Sequence, residues 1–278
     1  MIEPYYGDDD CILYNGKSEE VLPCIEDKSI DLTITSPPYD NLRAYNGYSW
    51  DFEMIAKELY RVTKPGGVCV WVVGDQTIDG SETLTSAKQK IFFREGCGWN
   101  IHDTMIYHKT GLTFPETNRY YPAFEYMYVL SRGKPKTTNL IADVKNKYAG
   151  GIIQGHSRQV SGDLKRRSGH GRLIKEFGVR QNVWSYGTGW MVTSNDKEAF
   201  EHGAAFAEAM ACDHVKSWSN LDETVLDCFA GSGTTLKAAK LLKRKGVGIE
   251  ISEKYCDLIK RRLNPPIPLF EPTTNVYP

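Results

Sequence analysis

Short, mainly apolar runs alternate along the chain with segments whose apolar residues follow helical spacing. Runs at 11–14, 30–35 and 68–73 predict buried strands, because turn-forming residues bound each of them. Between the last two runs, the apolar residues of 52–62 recur every three or four positions and predict a helix.

The rest of the chain continues this alternation on both sides of an irregular segment. From 131 to 180 the periodicity disappears and glycines are frequent, which predicts loops. The remaining predicted elements are strands at 103–108 and 124–130, a helix at 204–218, a strand at 225–229, a helix at 234–245, a strand at 246–251 and a helix at 252–263.

Strands that alternate with helices are typical of a mostly parallel sheet covered by helices on both faces. The sequence therefore predicts a Rossmann-like α/β fold. We expect one main domain assembled from residues 1–130 and 181–278, with residues 131–180 as an insertion.

Charge separates the insertion from the rest of the chain. The 278 residues include 34 Lys plus Arg and 35 Asp plus Glu, yet 131–180 holds 12 basic and only 3 acidic residues. A basic segment on an acidic body indicates contact with nucleic acid phosphates. The residues we expect to make these contacts are Arg158, Lys165, Arg166, Arg167 and Arg172.

Composition excludes several other classes of protein. No apolar run is long enough for a membrane span or a secretory signal, so we expect a soluble cytoplasmic protein. The seven cysteines contain no CxxC pair and the six histidines show no metal-ligand spacing. We therefore expect reduced cysteines and no metal.

A glycine-rich stretch lies between the predicted strand at 225–229 and the helix that follows. Glycine lets a ligand approach the backbone, and Glu250, 19 positions after Gly231, is placed to hold ribose hydroxyls. No Lys follows Gly233, which excludes a phosphate-binding P-loop, and Leu236 replaces the third glycine of a dinucleotide fingerprint. We infer a nucleoside site formed by Glu250 together with Asp227, Phe229, Ala230, Gly231, Ser232, Gly233, Thr234 and Thr235.

A second motif follows the predicted strand at 30–35. Its prolines stiffen the turn and remove backbone donors, which leaves carbonyl oxygens free to accept hydrogen bonds beside an aromatic ring. Acceptors next to a stacking surface suit a flat base with an exocyclic amino group. The residues of this motif are Ser36, Pro37, Pro38 and Tyr39.

Together, the two motifs resemble the signature of S-adenosylmethionine-dependent DNA amino-methyltransferases, which modify adenine N6 or cytosine N4. The resemblance runs from about Cys11 to Leu263, and the motif order, circularly permuted with the catalytic motif first, resembles that of the beta class. It implies S-adenosyl-L-methionine as cofactor for a catalytic domain of 1–130 and 181–278. It also implies double-stranded DNA as substrate and target recognition by 131–180.

Three positions depart from the family pattern. Cys228 stands where proline is usual, and Lys17 stands where an acidic residue is usual. The stretch 202–208 resembles a proline-rich element on the cofactor side but lacks its prolines. Within it, His202 and Phe206 are the residues we expect near the cofactor, and a looser loop would bind cofactor with a larger ordering cost.

The mechanism that the resemblance implies is methyl transfer to the amino group of a flipped base. Ser36 and Pro37 would accept the amino hydrogens while Tyr39 stacks on the base, and no covalent intermediate is needed. Because Ser36 replaces an Asp at the head of the motif, the resemblance leans slightly toward cytosine N4 over adenine N6.

Other functions stay open at this point. Pro23-Cys24 resembles the nucleophile of cytosine C5 methyltransferases, although no basic residue adjoins Cys24 to activate its thiol. The chain could also be a nucleic-acid-binding module with weak or no activity, or could methylate RNA or a protein amide. A cognate restriction endonuclease is a candidate partner, and a monomer or a homodimer is expected.

Overall fold

The computed structural model describes residues 2–38, 50–111, 118–194, 196–202 and 207–264. The chain forms two compact units, Met1–Asn139 with Asn182–Pro278, and Leu140–Gln181. Residues 131–139, which the sequence analysis assigned to the insertion, lie in the first unit. There the backbone N–H of Asn139 donates to the carbonyl of Ser217 at 2.8 Å.

Among the described residues of the first unit, nine strands form one mixed sheet, in the order β1-β2-β15-β14-β3-β4-β8-β7-β13. Five adjacent strands, from β2 to β4 in this order, are parallel, and β8 runs antiparallel to both of its neighbours. The strands of the chain are β1 Tyr6–Gly7, β2 Cys11–Asn15, β3 Ile30–Thr35, β4 Thr63–Val73, β5 Thr77–Ile78, β6 Ser81–Glu82, β7 Asn100–Lys109, β8 Phe124–Ser131, β9 Val144–Lys145, β10 His156–Arg158, β11 Leu164–Arg166, β12 Phe177–Gly178, β13 Val183–Tyr186, β14 Thr224–Asp227 and β15 Lys245–Glu250.

Helices cover both faces of this sheet, so the predicted fold class is confirmed. The helices are α1 Ser18–Val21, α2 Phe52–Val62, α3 Thr85–Glu95, α4 Glu208–Trp218, α5 Thr234–Leu241 and α6 Glu253–Leu263, with 3-10 turns at Leu22–Cys24 and Lys197–Glu201. One face packs α1, α2 and α3 through a core that includes Leu59, Trp71 and Phe93. On the other face, α5 and α6 pack against Leu13 of β2 through Leu236 and Ile259.

Several element boundaries differ from those predicted. The helix predicted for 204–218 begins at Glu208 in the described part of the chain. The helix predicted for 234–245 ends at Leu241, because Lys243 adopts a left-handed φ of 58° that a helix cannot continue through. Helix α3 and strand β13 were not predicted at all.

The topology brings distant segments of the chain to one edge of the sheet. Strand β3, near the start of the sequence, pairs with β14, which comes almost two hundred residues later, in the register Leu32 to Val225. Because the two strands are parallel, the residues after Thr35 and after Asp227 leave the sheet at the same edge. In open α/β sheets this carboxyl edge is where ligands bind.

The second unit, Leu140–Gln181, consists of two small antiparallel pairs joined by turns, β10 with β11 and β12 with β9. The structure describes all of this unit, and no residue in it is buried. Its backbone is held by turn hydrogen bonds and by the Arg180 guanidinium, whose Nε donates to the carboxylate of Asp143 at 2.8 Å. Within the described ranges, no helix has the length and apolar character that crossing a bilayer requires.

Candidate active site

The two sequence motifs meet through a buried hydrogen bond. The Thr35 hydroxyl, at the end of β3, donates to Asp227 Oδ1 at the end of β14, over 2.7 Å. Burial raises the pKa of Asp227 to about 6, against the lowering effect of hydrogen bonds from Thr35, Thr235 and the Phe229 backbone. Asp227 therefore serves as the polar joint between the motifs, and its depth removes it from direct contact with solvent.

Cys228, which replaces the usual proline, is fully buried next to the Thr35–Asp227 hydrogen bond. Its thiol lies 3.8 Å from the Thr35 hydroxyl, and its carbonyl accepts a hydrogen bond from the Ser18 hydroxyl. Burial, with Asp227 nearby, raises the pKa of Cys228 well above its usual range. The cysteine is a packing residue here, and Ser18 is a contributor to the site that the sequence analysis missed.

The glycine-rich turn owes its shape to two left-handed residues. Gly231 has a φ of 54° and Gly233 a φ of 77°, and the Gly233 N–H closes the turn on the Ala230 carbonyl at 2.6 Å. A Cβ on Gly233 would lie 2.9 Å from Ile259, and one on Gly231 would lie 3.1 Å from the His202 ring. Glycine is thus required at both positions, for conformation and for space.

Glu250 lies at the end of β15 with its carboxylate turned onto this turn. Its Oε2 accepts the Gly231 N–H at 2.8 Å and its Oε1 accepts the Ser252 N–H at 2.9 Å. Burial raises the pKa of Glu250 to about 7, although backbone hydrogen bonds from Ser252, Gly231 and Ile251 lower it. A carboxylate has about four acceptor positions on its two oxygens, so beside these backbone donors it can still accept from a ligand hydroxyl.

The other turn residues are mainly buried scaffold. Ala230, Ser232, Thr234 and Thr235 are buried and Phe229 is half-buried. The Thr235 hydroxyl donates to the Ile34 carbonyl at 3.3 Å, which gives a second link between the two motifs.

The motif predicted to be catalytic continues from β3 at the same edge. Ser36 and Pro38 are half-buried and Pro37 is buried. Tyr39 and Phe206, which the sequence analysis assigned to base stacking and to cofactor contact, lie outside the described residues. The structure therefore places three of the four motif residues next to the Asp227 joint.

A cavity of about 520 Å³ is lined by residues at the starts of α1 and α2. Its lining includes Lys17, which follows β2 at the same edge, and Glu19, whose Oε1 accepts the Asp51 N–H at 2.9 Å. Trp50 also lines it and packs edge-on against Phe229 of the predicted cofactor motif, with 5.1 Å between ring centroids. Trp50 carried no signal in the sequence analysis.

His202 lies against the glycine turn, where the sequence analysis expected a cofactor-side residue. Its ring packs on Gly231 and on the Tyr255 ring, 4.5 Å away between centroids. The preceding 3-10 turn is tied to α6 by Arg261, whose Nη2 donates to Glu201 at 3.0 Å.

Cys24 lies at the opposite edge of the sheet from Ser36. It ends the 3-10 turn before β3, where the Arg61 guanidinium binds the carbonyls of Leu22 and Ile25. Strand β3 runs between the two positions, and its six residues span roughly 20 Å. A thiol at that edge cannot attack a base held at Ser36.

The predicted DNA contacts lie in the second unit, mostly on the β10–β11 hairpin. Arg158 is opposite Leu164 and Arg166 is opposite His156 in the antiparallel register. Because side chains alternate along a strand, Arg158 and Arg166 share one face and Lys165 points to the other. Arg167 follows the hairpin, Arg172 lies further along the chain, and all five side chains are exposed.

Among the residues that the structure describes, no group of three or more His, Cys, Asp or Glu could hold a metal ion. The site's polar groups are instead backbone amides, hydroxyls and one aimed carboxylate, which are donors and acceptors suited to an uncharged ribose.

Comparison with known proteins shows the family. Residues 30–261 match the model of a family described as DNA methylase. The orphan methyltransferase M.BamHII of Bacillus amyloliquefaciens is 56% identical to this chain over 241 residues, covering 86% of this chain and 90% of the relative.

Solved structures agree with this relationship. The PvuII DNA methyltransferase, named as cytosine-N4-specific, shares the fold with a TM-score of 0.65 at 17% identity, over 94% of this chain and 95% of its own. The Thermus thermophilus protein TTHA0409, solved in complex with S-adenosyl-L-methionine, has a TM-score of 0.60 at 25% identity, over 90% and 91% of the two chains.

The chain belongs to the family of N6/N4 DNA methylases. The predicted class of enzyme is confirmed: it is an S-adenosylmethionine-dependent DNA amino-methyltransferase. Its own residues fit this cofactor, since backbone N–H groups hold the buried Glu250 carboxylate at the Gly231 turn, on the carboxyl edge of the sheet where ligands bind.

Proposed function

We propose that Ser36, Pro37 and Tyr39 act on a flipped base while Glu250 and the Gly231 turn hold the cofactor. The observation that supports this division is the Thr35–Asp227 hydrogen bond, which joins the ends of β3 and β14 at one edge of the sheet. Two motifs held together by a 2.7 Å bond can present the cofactor and the base to each other.

The chemistry asked of the protein is orientation of a poor nucleophile. When bound, S-adenosylmethionine supplies an electrophilic methyl group on its sulfonium sulfur. The base nitrogen shares its lone pair with the ring, so it needs acceptors that favour a tetrahedral geometry. The Ser36 hydroxyl and the Pro37 carbonyl accept the two amino hydrogens and aim the lone pair, and Tyr39 stacks on the ring.

Cytosine N4 is the target that we favour. Ser36 heads the motif in place of an Asp, so the first acceptor is a neutral hydroxyl. The PvuII enzyme, whose fold this chain shares, carries cytosine-N4-specific in its name. At 17% identity this likeness supports the fold alone, and the proposal depends on Ser36.

DNA binding is assigned to the basic unit Leu140–Gln181. Arg158 and Arg166 lie on one face of the hairpin and Lys165 on the other, and all three are exposed. Their charges are therefore solvated in the free protein and accessible to DNA phosphates. A unit without buried side chains can also adapt its surface to a DNA groove.

The base is identified by expressing the chain in a methylation-deficient host and digesting the DNA to nucleosides for chromatography against standards. N4-methylcytosine is expected, and N6-methyladenine would reverse the choice of base while keeping the mechanism. The variant Cys24→Ser is expected to stay within a few-fold of the parent. 5-methylcytosine together with an inactive Cys24→Ser enzyme would overturn the mechanism.

Partners and location complete the proposal. M.BamHII is named an orphan methyltransferase, which favours action of this chain without a dedicated nuclease over the expected restriction endonuclease. A monomer or a homodimer acting in the cytoplasm, where DNA is accessible, is consistent with this. Light scattering with and without a short duplex would distinguish the two assemblies.

A further inference from the structure

A largely buried group of four charged side chains lies behind the glycine turn, and the mechanism above does not use it. Arg262 of α6 has only 1% of its side chain exposed. Its Nε donates to Asp196 Oδ2 and its Nη2 donates to Glu208 Oε1, each over 2.7 Å. Lys237 of α5 donates to the same two oxygens, at 3.3 and 2.9 Å.

The third nitrogen of the Arg262 guanidinium reaches the cofactor turn itself. Nη1 donates to the backbone carbonyl of Ser232. The N–H of the same peptide unit, on Gly233, donates to the Ala230 carbonyl. The peptide plane between the two left-handed glycines is therefore fixed at both its oxygen and its nitrogen.

The carboxylates of Asp196 and Glu208 lie on either side of 203–207, which lacks the prolines of the family element. Asp196 is the N-cap of the 3-10 turn Lys197–Glu201, and Glu208 is the first residue of α4. Two cations thus hold both flanks of 203–207. Burial alone would raise the pKa of Asp196, but the hydrogen bond and charge of Arg262, with Lys237, lower it. Two acids and two bases leave this cluster neutral, as a buried group requires.

We propose that Arg262 is a positioning residue for S-adenosylmethionine, which orients the Ser232–Gly233 peptide and joins the turn to both flanks of 203–207. The inference deepens the proposed function, because it assumes that the turn from Gly231 to Gly233 holds the cofactor.

The test compares two variants with the parent. Arg262→Lys keeps the buried charge, but one ammonium cannot reproduce the planar set of three donors. The double variant Arg262→Met with Glu208→Gln removes one charge of each sign, so Asp196 and Lys237 remain balanced. Calorimetry on the cofactor-free protein measures affinity for S-adenosylmethionine, and steady-state kinetics separate KM for cofactor from kcat.

We expect Kd for S-adenosylmethionine to rise about threefold or more in Arg262→Lys and about tenfold or more in the double variant. Since Arg262 does not touch the base, kcat at saturating cofactor and affinity for a short duplex should stay within about threefold. Lys260→Met is the matched control, because Lys260 is a nearby cation on α6 with an exposed side chain and should leave Kd unchanged.

A Kd within twofold of the parent in folded Arg262→Lys and in the folded double variant would overturn the inference. Should the double variant not fold, Arg262→Lys decides, since its charge is retained. Glu250→Ala, measured alongside, distinguishes a failure of the positioning role from a failure of the cofactor-site assignment. If Glu250→Ala weakens binding and the Arg262 variants do not, only the positioning role fails. If none of them weakens binding, the cofactor site itself is misassigned.

Discussion

Replacing Glu250 by Ala should weaken S-adenosylmethionine binding by about 10- to 100-fold. The carboxylate is aimed by the Gly231 and Ser252 N–H groups and keeps acceptor capacity for a ribose hydroxyl. A charge-assisted hydrogen bond contributes about 1.5–3 kcal/mol, and about 1.4 kcal/mol changes affinity tenfold. One lost bond therefore accounts for the whole range.

The pKa of Glu250 gives the same prediction a second readout. Its pKa is raised to about 7 in the folded free protein. Ribose hydroxyls donate to the ionised form, so affinity for the cofactor should weaken as the pH falls from 8 to 6. Glu250→Gln, which has no charge to titrate, should bind weakly and with little dependence on pH over this interval.

The free energy of unfolding should change with pH in the opposite direction from cofactor affinity. The folded pKa lies above the ordinary value of 4.5, so the native state binds the proton more tightly than the unfolded chain does. The free energy of unfolding should then fall as the pH rises from about 4.5 to about 7, by an amount on the order of 3 kcal/mol from Glu250. Glu250→Gln should remove this part of the slope.

Isothermal calorimetry across this pH range, with thermal unfolding on the same samples, measures both effects. Glu253→Ala is the control, since Glu253 is an exposed carboxylate three residues further on and should change neither. A folded Glu250→Ala protein that binds S-adenosylmethionine with parental affinity would refute the assignment of Glu250 to the ribose.

Three further changes test other parts of the structure. Thr35→Val should lower the free energy of unfolding by about 1–3 kcal/mol, because buried Asp227 loses a donor. Denaturant unfolding measures this change, and an unchanged free energy would contradict the role of the Thr35–Asp227 bond in joining the motifs. Tyr39→Ala should lower kcat much more than it raises Kd for S-adenosylmethionine, because the ring is assigned to the base; equal changes in both would place the ring on the cofactor. Alanine at the exposed basic run should flatten the plot of log affinity for DNA against log salt by about three units if every cation touches phosphate, and by less if DNA covers one hairpin face; an unchanged slope would exclude contact by Lys165, Arg166 and Arg167.

The centre of the sheet was predictable because its strands are buried on both faces. All six residues of β3 are buried, and a short segment rich in apolar and β-branched residues between turns indicates a strand without further context. The helix α2 was predictable for a related reason, since Asp51 caps it by accepting the Met54 N–H and one apolar stripe faces the core.

The elements that were missed lack these local signals. Helix α3 has no side-chain cap, and its N-cap residue Leu84 has a left-handed φ of 59°. Its large apolar residues also come in one consecutive group instead of helical spacing. Strand β13 has a single buried residue, Trp184, so only pairing with β7 defines it. Tertiary contacts decide both elements.

The two motifs of the candidate site were predictable from the sequence, but the charged residues that support the glycine turn were not. Glycines at strand ends indicate a ligand turn from sequence alone, and Gly231 and Gly233 do adopt left-handed conformations. Arg262 gave no such signal, because basic residues in the last turn of a helix usually face solvent. Only the packing of α6 against the turn brings its guanidinium to Ser232.

The pairing of β3 with β14 also has a consequence for the protein during its synthesis. At roughly 5–20 residues per second, β14 emerges from the ribosome about 10 to 40 s after β3. Until then β3 and β4 can pair with each other, but the backbone N–H and C=O groups on the side of β3 that will meet β14 have no strand to bond. Exposed strand edges of this kind pair readily with other chains. A nascent chain stalled before Thr224 should therefore aggregate or need a chaperone, whereas one stalled after Glu250 can already close its sheet.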